Sequence, residues 1–246
     1  MKILLIVPIN FENKLTEKKV FDRLSEHLEA VKDSRTQIDL ISLPEGATPS
    51  IECRSDRRNN EAYVVAAALD AEQRGYDGVF VSDMDMCGVD QSRKVLKIPI
   101  VGGFRPCVNS AILLAGKFSI ITMVEGVVEM QRGHVTDFGL VERFASIRVV
   151  DIPVCDLIDD PLKSIPVLVT AARQAVYEDG AESIIFGCTG FINVASQVQQ
   201  ELYKMGIDVP VIDPNRTAVN CLEGLIKNNI SQSREFYGRE EPSLTF

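Results

Sequence analysis

The chain has 246 residues, 46% of them hydrophobic and 25% charged, with a net charge of -9. This length allows one large domain or two small ones with a well-buried core, so folding needs neither metal nor disulfides. The acidic balance argues against nucleic-acid binding, because phosphate contacts require clustered Lys and Arg. No apolar run approaches the roughly eighteen residues of a membrane span and no signal peptide is evident, so we expect a cytoplasmic protein without a membrane partner. The one basic cluster, residues 54–58, is expected to form a solvated loop or helix start.

The cysteines are scattered along the chain without the CxxC spacing of zinc sites. A reducing compartment would leave most of them as inert, buried thiols, and we predict neither a disulfide framework nor a metal site. The six cysteines are Cys53, Cys87, Cys107, Cys155, Cys188 and Cys221.

Short apolar runs alternate with stretches of helical periodicity from one end of the chain to the other. The predicted strands are 2–8, 38–43, 78–82, 98–103, 118–123, 146–152, 183–187 and 209–213. The predicted helices are 16–31, 60–74, 107–116, 125–137, 164–178, 192–205 and 215–227, with a loop at 155–163. Near-continuous apolar strands alternating with helices are typical of a parallel sheet covered on both faces, so the predicted fold class is α/β.

The chain also matches itself when it is shifted by 105 positions. The strand 79–81 then falls on 184–186, and Asp83 falls on Cys188. The match indicates an internal duplication. The alternative is that it reflects only the common pattern of βαβ units.

A duplication has a physical consequence, because open α/β sheets bind ligands beyond the carboxyl ends of their strands. Two halves facing each other would place Asp83 and Cys188 on opposite walls of one cleft. That geometry suits removal of a proton from one face of a carbon and delivery of a proton to the other. We therefore predict two pseudosymmetric, doubly wound parallel-sheet domains, residues 1–99 with 209–246 and residues 100–208, with the active site in the cleft between them.

The strand predicted at 183–187 ends in the sequence Gly-Cys-Thr-Gly, which makes Cys188 a candidate catalytic base. A free thiol has a pKa of about 8.5 and is mostly protonated at neutral pH. We expect a helix to follow the strand directly and to lower that pKa through its N-terminal partial charge. The N–H groups of Thr189 and Gly190 and the Thr189 hydroxyl could hold a developing enolate oxygen. The alternative is an ordinary core cysteine at a strand end.

Three roles are open for Asp83 at the equivalent position. It could complete a two-base pair with Cys188 if burial raises its pKa, or it could accept a hydrogen bond from the substrate. It could also simply cap the following helix. Asp85 and Cys87 continue the segment, but a metal site with DxDxC spacing is disfavoured because no histidine lies nearby.

Other residues at strand ends are candidates for substrate binding. Asn10 follows the first strand and could bond a substrate carbonyl, although a turn Asn is the plain alternative. The full candidate set is Asn10, Ser82, Gly103, Thr122, Thr189 and Gly190. Outside this set, Arg105 could pair with a substrate carboxylate, His134 could reach the cleft, and His27 is expected to be solvated.

Several segments of the chain resemble the aspartate/glutamate racemase superfamily, most closely its hydantoin and allantoin racemase branch. The segments are VPINFE at 7–12, GYDGVFVSDMDMCGVD at 75–90, IPIVGG at 98–103, SIITM at 119–123, GAESIIFGCTGF at 180–191 and VPVIDP at 209–214. The resemblance implies two pseudosymmetric α/β domains with the active site between them, a small-molecule substrate, no cofactor or metal, and a homo-oligomer. Family racemases usually carry a cysteine at both strand ends, whereas this chain has Asp83 at the first. The arylmalonate decarboxylase branch works with a single cysteine, which matches Cys188.

Our first functional hypothesis is a cofactor-independent racemase or epimerase. It would act on the acidic α-carbon of a hydantoin-like or amino-acid-derived substrate, with Cys188 and Asp83 on opposite faces. The second is a lyase of the arylmalonate decarboxylase type, in which Cys188 alone protonates an enediolate. The third is a non-catalytic ligand-binding homologue.

Overall fold

The structure, a computed structural model, describes residues 1–238. Its strands are β1 Lys2–Val7, β2 Gln37–Ser42, β3 Gly78–Val81, β4 Ile100–Gly102, β5 Phe118–Thr122, β6 Phe144–Val149, β7 Ser183–Phe186 and β8 Val211–Ile212. Its first five α-helices are α1 Lys14–Glu29, α2 Arg54–Gln73, α3 Val89–Val95, α4 Phe104–Leu114 and α5 Val128–Asp137. The other five are α6 Val154–Asp159, α7 Ile165–Asp179, α8 Ala195–Lys204, α9 Pro214–Lys227 and α10 Arg234–Tyr237.

The strands form two parallel four-stranded sheets with the same order of strands. The first sheet runs β2-β1-β3-β4 and the second runs β6-β5-β7-β8. The predicted α/β fold with two pseudosymmetric parallel sheets is therefore confirmed. Because β3 and β7 hold equivalent places in the two sheets, Asp83 and Cys188 follow equivalent strands.

The core is built from strands that are buried on both faces, as expected when helices cover a parallel sheet. Every residue of β3 and β7 is buried. Phe80 in β3 and Phe186 in β7 are fully buried. Burying one such side chain stabilises the fold by roughly 1.5–3 kcal/mol, so the two strand ends are rigidly placed.

Each sheet is also covered by a helix that follows the last strand of the other sheet. Helix α9 follows β8 but packs against β3, β4 and α1, while α4 follows β4 and packs against β5, β7 and β8. Strand pairing places β4 in the first sheet and β8 in the second. The domain boundaries expected before residues 100 and 209 stay a prediction. The pairing of β4 with the first sheet and of β8 with the second favours boundaries just after these two strands.

The structure differs from the predicted elements at three places. Helix α2 begins at Arg54 rather than at residue 60, because the Asp56 carboxylate accepts the N–H groups of Glu52 and Cys53 and caps a turn without apolar periodicity. The segment predicted as a loop at 155–163 contains the short helix α6. Helix α3 was not predicted, because seven residues are too few to show a period.

No helix within residues 1–238 is long and apolar enough to cross a membrane.

Candidate active site

A buried cavity with a volume of about 80 Å³ lies between the carboxyl ends of β3 and β7, and we call it the inner cavity. Asp83 reaches it from the first sheet and Cys188 from the second, so the structure brings the two predicted catalytic residues together. Its other polar walls are formed by Ser82, Asp85, Gly187, Thr189 and Gly190. Its apolar walls include Ile9, Phe11, Leu24, Ile51, Met123 and Ile158.

Cys188 is 9% exposed and lies two residues beyond the end of β7. Burial, and then the nearby carboxylates of Asp83, Asp85 and Glu52, raise its pKa to about 12, against a hydrogen bond from the Gly190 N–H to Sγ at 3.3 Å. The thiol is therefore protonated at neutral pH.

The expectation that a helix N-terminus activates this thiol is wrong. Residues 187–194 form turns, and helix α8 begins only at Ala195. A helix N-terminus acts on groups within its first turn, so α8 lies too far along the chain to lower the pKa of Cys188.

Asp83 is 8% exposed and holds the turn between β3 and α3. Its Oδ2 accepts the N–H of Cys87 at 2.8 Å, and its main-chain carbonyl accepts the N–H of Gly103 at 2.9 Å. Burial raises the pKa of its carboxyl, while the hydrogen bond from Cys87 opposes that rise. The side chain thus anchors the turn and also faces the cavity.

Asp85 is a further acidic residue at the inner cavity. The sequence analysis discussed it only as a metal ligand. It is 1% exposed, and its Oδ1 is buried without a hydrogen-bond partner. Burial, and then the negative charge of Asp83, raise its pKa well above the ordinary value. Its D-x-D spacing from Asp83 was the available signal, because residues two apart in a tight turn can face the same side.

The hydroxyls of Ser82 and Thr189 join the two sheets. Ser82 Oγ donates to Asn215 Oδ1, Asn215 Nδ2 donates to the Thr189 carbonyl, and Thr189 Oγ1 donates to the Ser82 carbonyl, each at 2.8 Å. We call this the Ser82–Asn215–Thr189 bridge. Both hydroxyls donate to other protein atoms, so substrate binding by Ser82 and Thr189 stays a prediction. Asn215 carried no sequence signal beyond its place after the last strand.

Gly103 and Thr122 lie close to the strand ends but outside the lining of the inner cavity. A Cβ on Gly103 would come within 2.8 Å of Met84 Sδ, so the glycine permits close packing of the turn. Thr122 is fully buried, with Oγ1 unpartnered beside Gly187, where a Cβ would come within 2.6 Å of it. Their binding roles stay predictions.

Asn10 lines a larger outer cavity of about 580 Å³. This outer cavity shares Phe11 and Ile158 with the inner one, so the two adjoin. Its polar walls include Asn10, Glu12, Glu52 and Asp159. Neither Asp83 nor Cys188 lines it, so the two predicted catalytic residues meet at the smaller inner cavity.

Helix α6 forms one wall of the inner cavity through Val154 and Ile158. Arg23 of α1 donates to the Ile158 carbonyl at 3.2 Å, and the Glu52 carboxylate accepts the N–H of Val154 at 2.8 Å. Residues associated with the first sheet therefore hold α6 at both of its ends.

Cys87 and His134 pack beneath the turn that carries the two carboxyls. The Cys87 thiol donates to the Arg57 carbonyl at 3.3 Å, burial raises its pKa, and the residue does not line the inner cavity. His134 Nε2 lies 3.2 Å from the Asp85 carbonyl, and burial lowers the His134 pKa. The ring is therefore neutral, and Nε2 carries the hydrogen because a carbonyl only accepts.

Two other side chains singled out in the sequence lie elsewhere. His27 was expected in solvent but is 3% exposed, with Nε2 at 2.8 Å from the Asp213 carboxylate at the start of α9. That expectation is wrong because α9 covers this face of α1. Arg105 donates to the Tyr237 hydroxyl at 2.9 Å and lines neither the inner nor the outer cavity.

Within residues 1–238, no group of three or more His, Cys, Asp and Glu side chains is arranged to hold a metal ion.

Comparison with known proteins agrees with this geometry. The Asp/Glu/Hydantoin racemase family model matches residues 9–222, so the chain belongs to this family. A hydantoin racemase from Pseudomonas sp. (strain NS671) is 31% identical over 193 residues, 78% of this chain and 75% of that protein. A hydantoin racemase from Rhizobium meliloti is 29% identical over 204 residues, 83% of this chain and 82% of that protein. The crystal structure of an allantoin racemase from Pseudomonas fluorescens has a TM-score of 0.87 at 24% identity and covers 100% of both chains.

The protein is thus a racemase, an isomerase, and the substrates of racemases are small molecules. The relatives favour this activity over the lyase and the ligand-binding homologue.

Proposed function

We propose that the protein racemises hydantoin-like cyclic ureides at the ring carbon beside a carbonyl, with Cys188 on one face of that carbon and Asp83 on the other. The observation that carries the proposal is that these two residues line one buried cavity from the ends of equivalent strands. Matching groups on opposite sides of a planar enolate are what inversion at a carbon requires.

The charge of the cavity supports a neutral substrate. Among the described residues that line it, two are carboxyl groups, Asp83 and Asp85, and none is Lys, Arg or His. A free amino acid would bring its own carboxylate into this acidic site without a cation to pair with, which is costly in a buried setting. A cyclic ureide carries no charge and offers N–H donors to carboxyl oxygens. The apolar walls suit an apolar substituent on the ring carbon.

The proton steps follow from the ionisation of the two groups. The ionised Asp83 accepts the proton from the ring carbon, and the C–H electron pair moves into an enolate whose charge rests on the carbonyl oxygen. The Cys188 thiol then gives its proton to the opposite face and becomes a thiolate. After the product leaves, both groups exchange protons with water. The opposite enantiomer reacts with the form in which Cys188 is ionised and Asp83 is protonated.

Proton NMR in D2O tests the proposal with single enantiomers of 5-substituted hydantoins and with allantoin. The expected result is loss of the ring C–H signal and of optical rotation without a change in the covalent skeleton, faster than in a protein-free control. Cys188→Ala should abolish this exchange, whereas Cys221→Ala, at a cysteine outside both cavities, should retain it. Turnover of aspartate or glutamate but of no cyclic ureide would contradict the proposal.

A homo-oligomer and a cytoplasmic location remain predictions that belong to this proposal. Light scattering coupled to size-exclusion chromatography measures the first, and a monomer at working concentrations would contradict it.

A further inference from the structure

Among the described residues that line the inner cavity, one has a buried side-chain oxygen without a hydrogen-bond partner. Asp85 Oδ1 is buried and has no hydrogen-bond partner, although the side chain lines the cavity and is 1% exposed. An unsatisfied buried oxygen is expensive, and native proteins rarely keep one without a purpose. The position of this atom points to a ligand group that pairs with it.

The groups around Asp85 hold its main chain in place. Its carbonyl faces Arg57 Nη1 of α2 and His134 Nε2 of α5, both at 3.2 Å. Met86, the next residue, adopts a left-handed φ of 57°, which makes the turn a specific shape rather than a loose loop. A fixed backbone therefore holds Asp85 at the wall of the cavity.

The neighbouring charges decide which carboxyl carries a proton. Asp83 and Asp85 are two residues apart in one buried turn, and two such groups do not ionise together at low cost. Asp83 Oδ2 accepts the N–H of Cys87, which favours its ionised form, whereas Asp85 Oδ1 receives no such bond. On the α5 side the Gln131 side chain lies beside Asp85 and lowers the pKa of its carboxyl, against the larger effect of burial, while Gln131 Oε1 has no hydrogen-bond partner. Among the described residues, Arg57 is the cation that acts on both carboxyls, and His134 is neutral, so the proton of the pair resides on Asp85.

The enolate oxygen needs a donor, and two of the three donors expected from the sequence, the Thr189 hydroxyl and the Gly190 N–H, are occupied. The Thr189 hydroxyl donates to the Ser82 carbonyl, and the Gly190 N–H donates to Cys188 Sγ. No Lys, Arg or His is among the described residues that line the cavity. A protonated carboxyl can donate, and Asp85 is the one placed here without a partner.

We propose that Asp85 acts as a neutral carboxylic acid whose O–H donates a hydrogen bond to the substrate carbonyl oxygen and stabilises the enolate formed there. The proposal rests on the proposed racemase function and adds a third catalytic residue to it. Asp83 takes the carbon-bound proton, the C–H electron pair becomes the enolate, and its charge develops on the oxygen that faces Asp85. The Asp85 proton stays on Asp85, so Cys188 supplies the proton that completes inversion.

Two substitutions at Asp85 separate this role from that of a base. Asp85→Asn keeps a hydrogen-bond donor of the same shape, whereas Asp85→Ala removes it. We expect Asp85→Ala to lower kcat by roughly 100-fold to 1,000-fold with a small change in KM, the range for losing one oxyanion donor. Asp85→Asn should stay within about tenfold of the wild type. Asp83→Asn, the matched control, should lose turnover because an amide is not a base.

The pH profile gives a readout that a purely structural role would not move. Wild-type activity should fall as the pH rises through the raised pKa of Asp85, because ionisation removes the donor. In Asp85→Asn this alkaline limb should be absent. His134 is already neutral over that range, so it does not produce the limb.

An infrared difference spectrum between the wild type and Asp85→Asn tests the proton without relying on activity. A protonated-carboxyl carbonyl band at neutral pH that Asp85→Asn lacks supports the proposal. Absence of that band, equal inactivity of the Asn and Ala variants, or near wild-type activity of the Ala variant would overturn it. Failure of the wild type to exchange any cyclic ureide would instead defeat the proposed function, and the infrared result would still report the state of Asp85.

Discussion

At the scale of single residues, burial decides the chemistry of this site more than local sequence does. Cys188 stands in a Gly-Cys-Thr-Gly segment that suggested an activated thiolate, yet burial raises its pKa to about 12. Asp83 and Asp85 are held in the same low-polarity space, and burial raises the pKa of both carboxyls. The resting site therefore combines a thiol with a carboxyl pair, so Cys188 starts as an acid when Asp83 is the base.

The raised pKa of Asp85 also predicts how stability depends on pH. Its pKa is higher in the folded chain than the unfolded value of about 3.9, so folding binds a proton between the two pKa values and stability falls as pH rises through that range. Asp85→Asn should remove this part of the loss and be more stable than the wild type at neutral pH, with the gain shrinking below the unfolded pKa. Urea unfolding at a series of pH values measures it. The exposed Asp208→Asn serves as the control, and an Asp85→Asn gain that does not vary with pH would contradict this reading.

Replacing Cys188 by serine tests its role as the proton donor. An alcohol is a much weaker acid than a thiol, so we expect kcat to fall by about 100-fold to 10,000-fold, the usual contribution of a positioned acid or base. Chiral chromatography of reaction time courses gives the rate in both directions. Retention of wild-type rates would show that Cys188 only packs at the strand end.

At the scale of elements, the short helix α6 forms part of the site. Helix α6 lies where the sequence predicted a loop, and it walls the inner cavity through Val154 and Ile158. The helix is short, so its position depends on tertiary contacts rather than on intrinsic helix stability. Those contacts come from Arg23 on α1 and from Glu52 before α2.

Loss of the Arg23 contact should loosen this wall. In Arg23→Ala the guanidinium bonds to carbonyl groups at the end of α6 disappear, so we expect faster hydrogen exchange in 154–159 and a KM that rises more than kcat falls. Lys18→Ala is the matched control, because Lys18 lies on the same helix and its exposed side chain pairs with Asp22. Unchanged exchange across α6 would show that Arg23 does not hold it.

At the scale of the whole molecule, the two halves are joined where the chemistry occurs. The Ser82–Asn215–Thr189 bridge connects the residue before Asp83 to the residue after Cys188. Helix α4 also follows the first sheet but covers the second, and α9 follows the second sheet but covers the first. The distance between the two catalytic side chains is therefore set by the way the halves pack on each other.

Breaking this bridge should affect both stability and turnover. Asn215 is fully buried, so Asn215→Ala leaves the Ser82 hydroxyl and the Thr189 carbonyl without their partner and should cost about 2 kcal/mol or more of unfolding free energy. We expect kcat to fall as well, because Asp83 and Cys188 adjoin the bridged residues. Urea unfolding and the racemisation assay measure the two effects, with the exposed Asn109→Ala as control. A stability equal to that of the control would contradict the bridging role.

The amino-acid sequence by itself was sufficient for the α/β class, the two equivalent halves and the pairing of Asp83 with Cys188. These features follow from local periodicity and an internal repeat, which are written in neighbouring residues. Only the tertiary structure decided the protonation of Cys188, the commitment of the Ser82 and Thr189 hydroxyls, the burial of His27 and the unpaired oxygen of Asp85. Each of these depends on solvent exclusion and on partners far away in the chain, as when α9 brings Asn215 to Ser82 and Thr189. No pattern of nearby residues encodes such contacts.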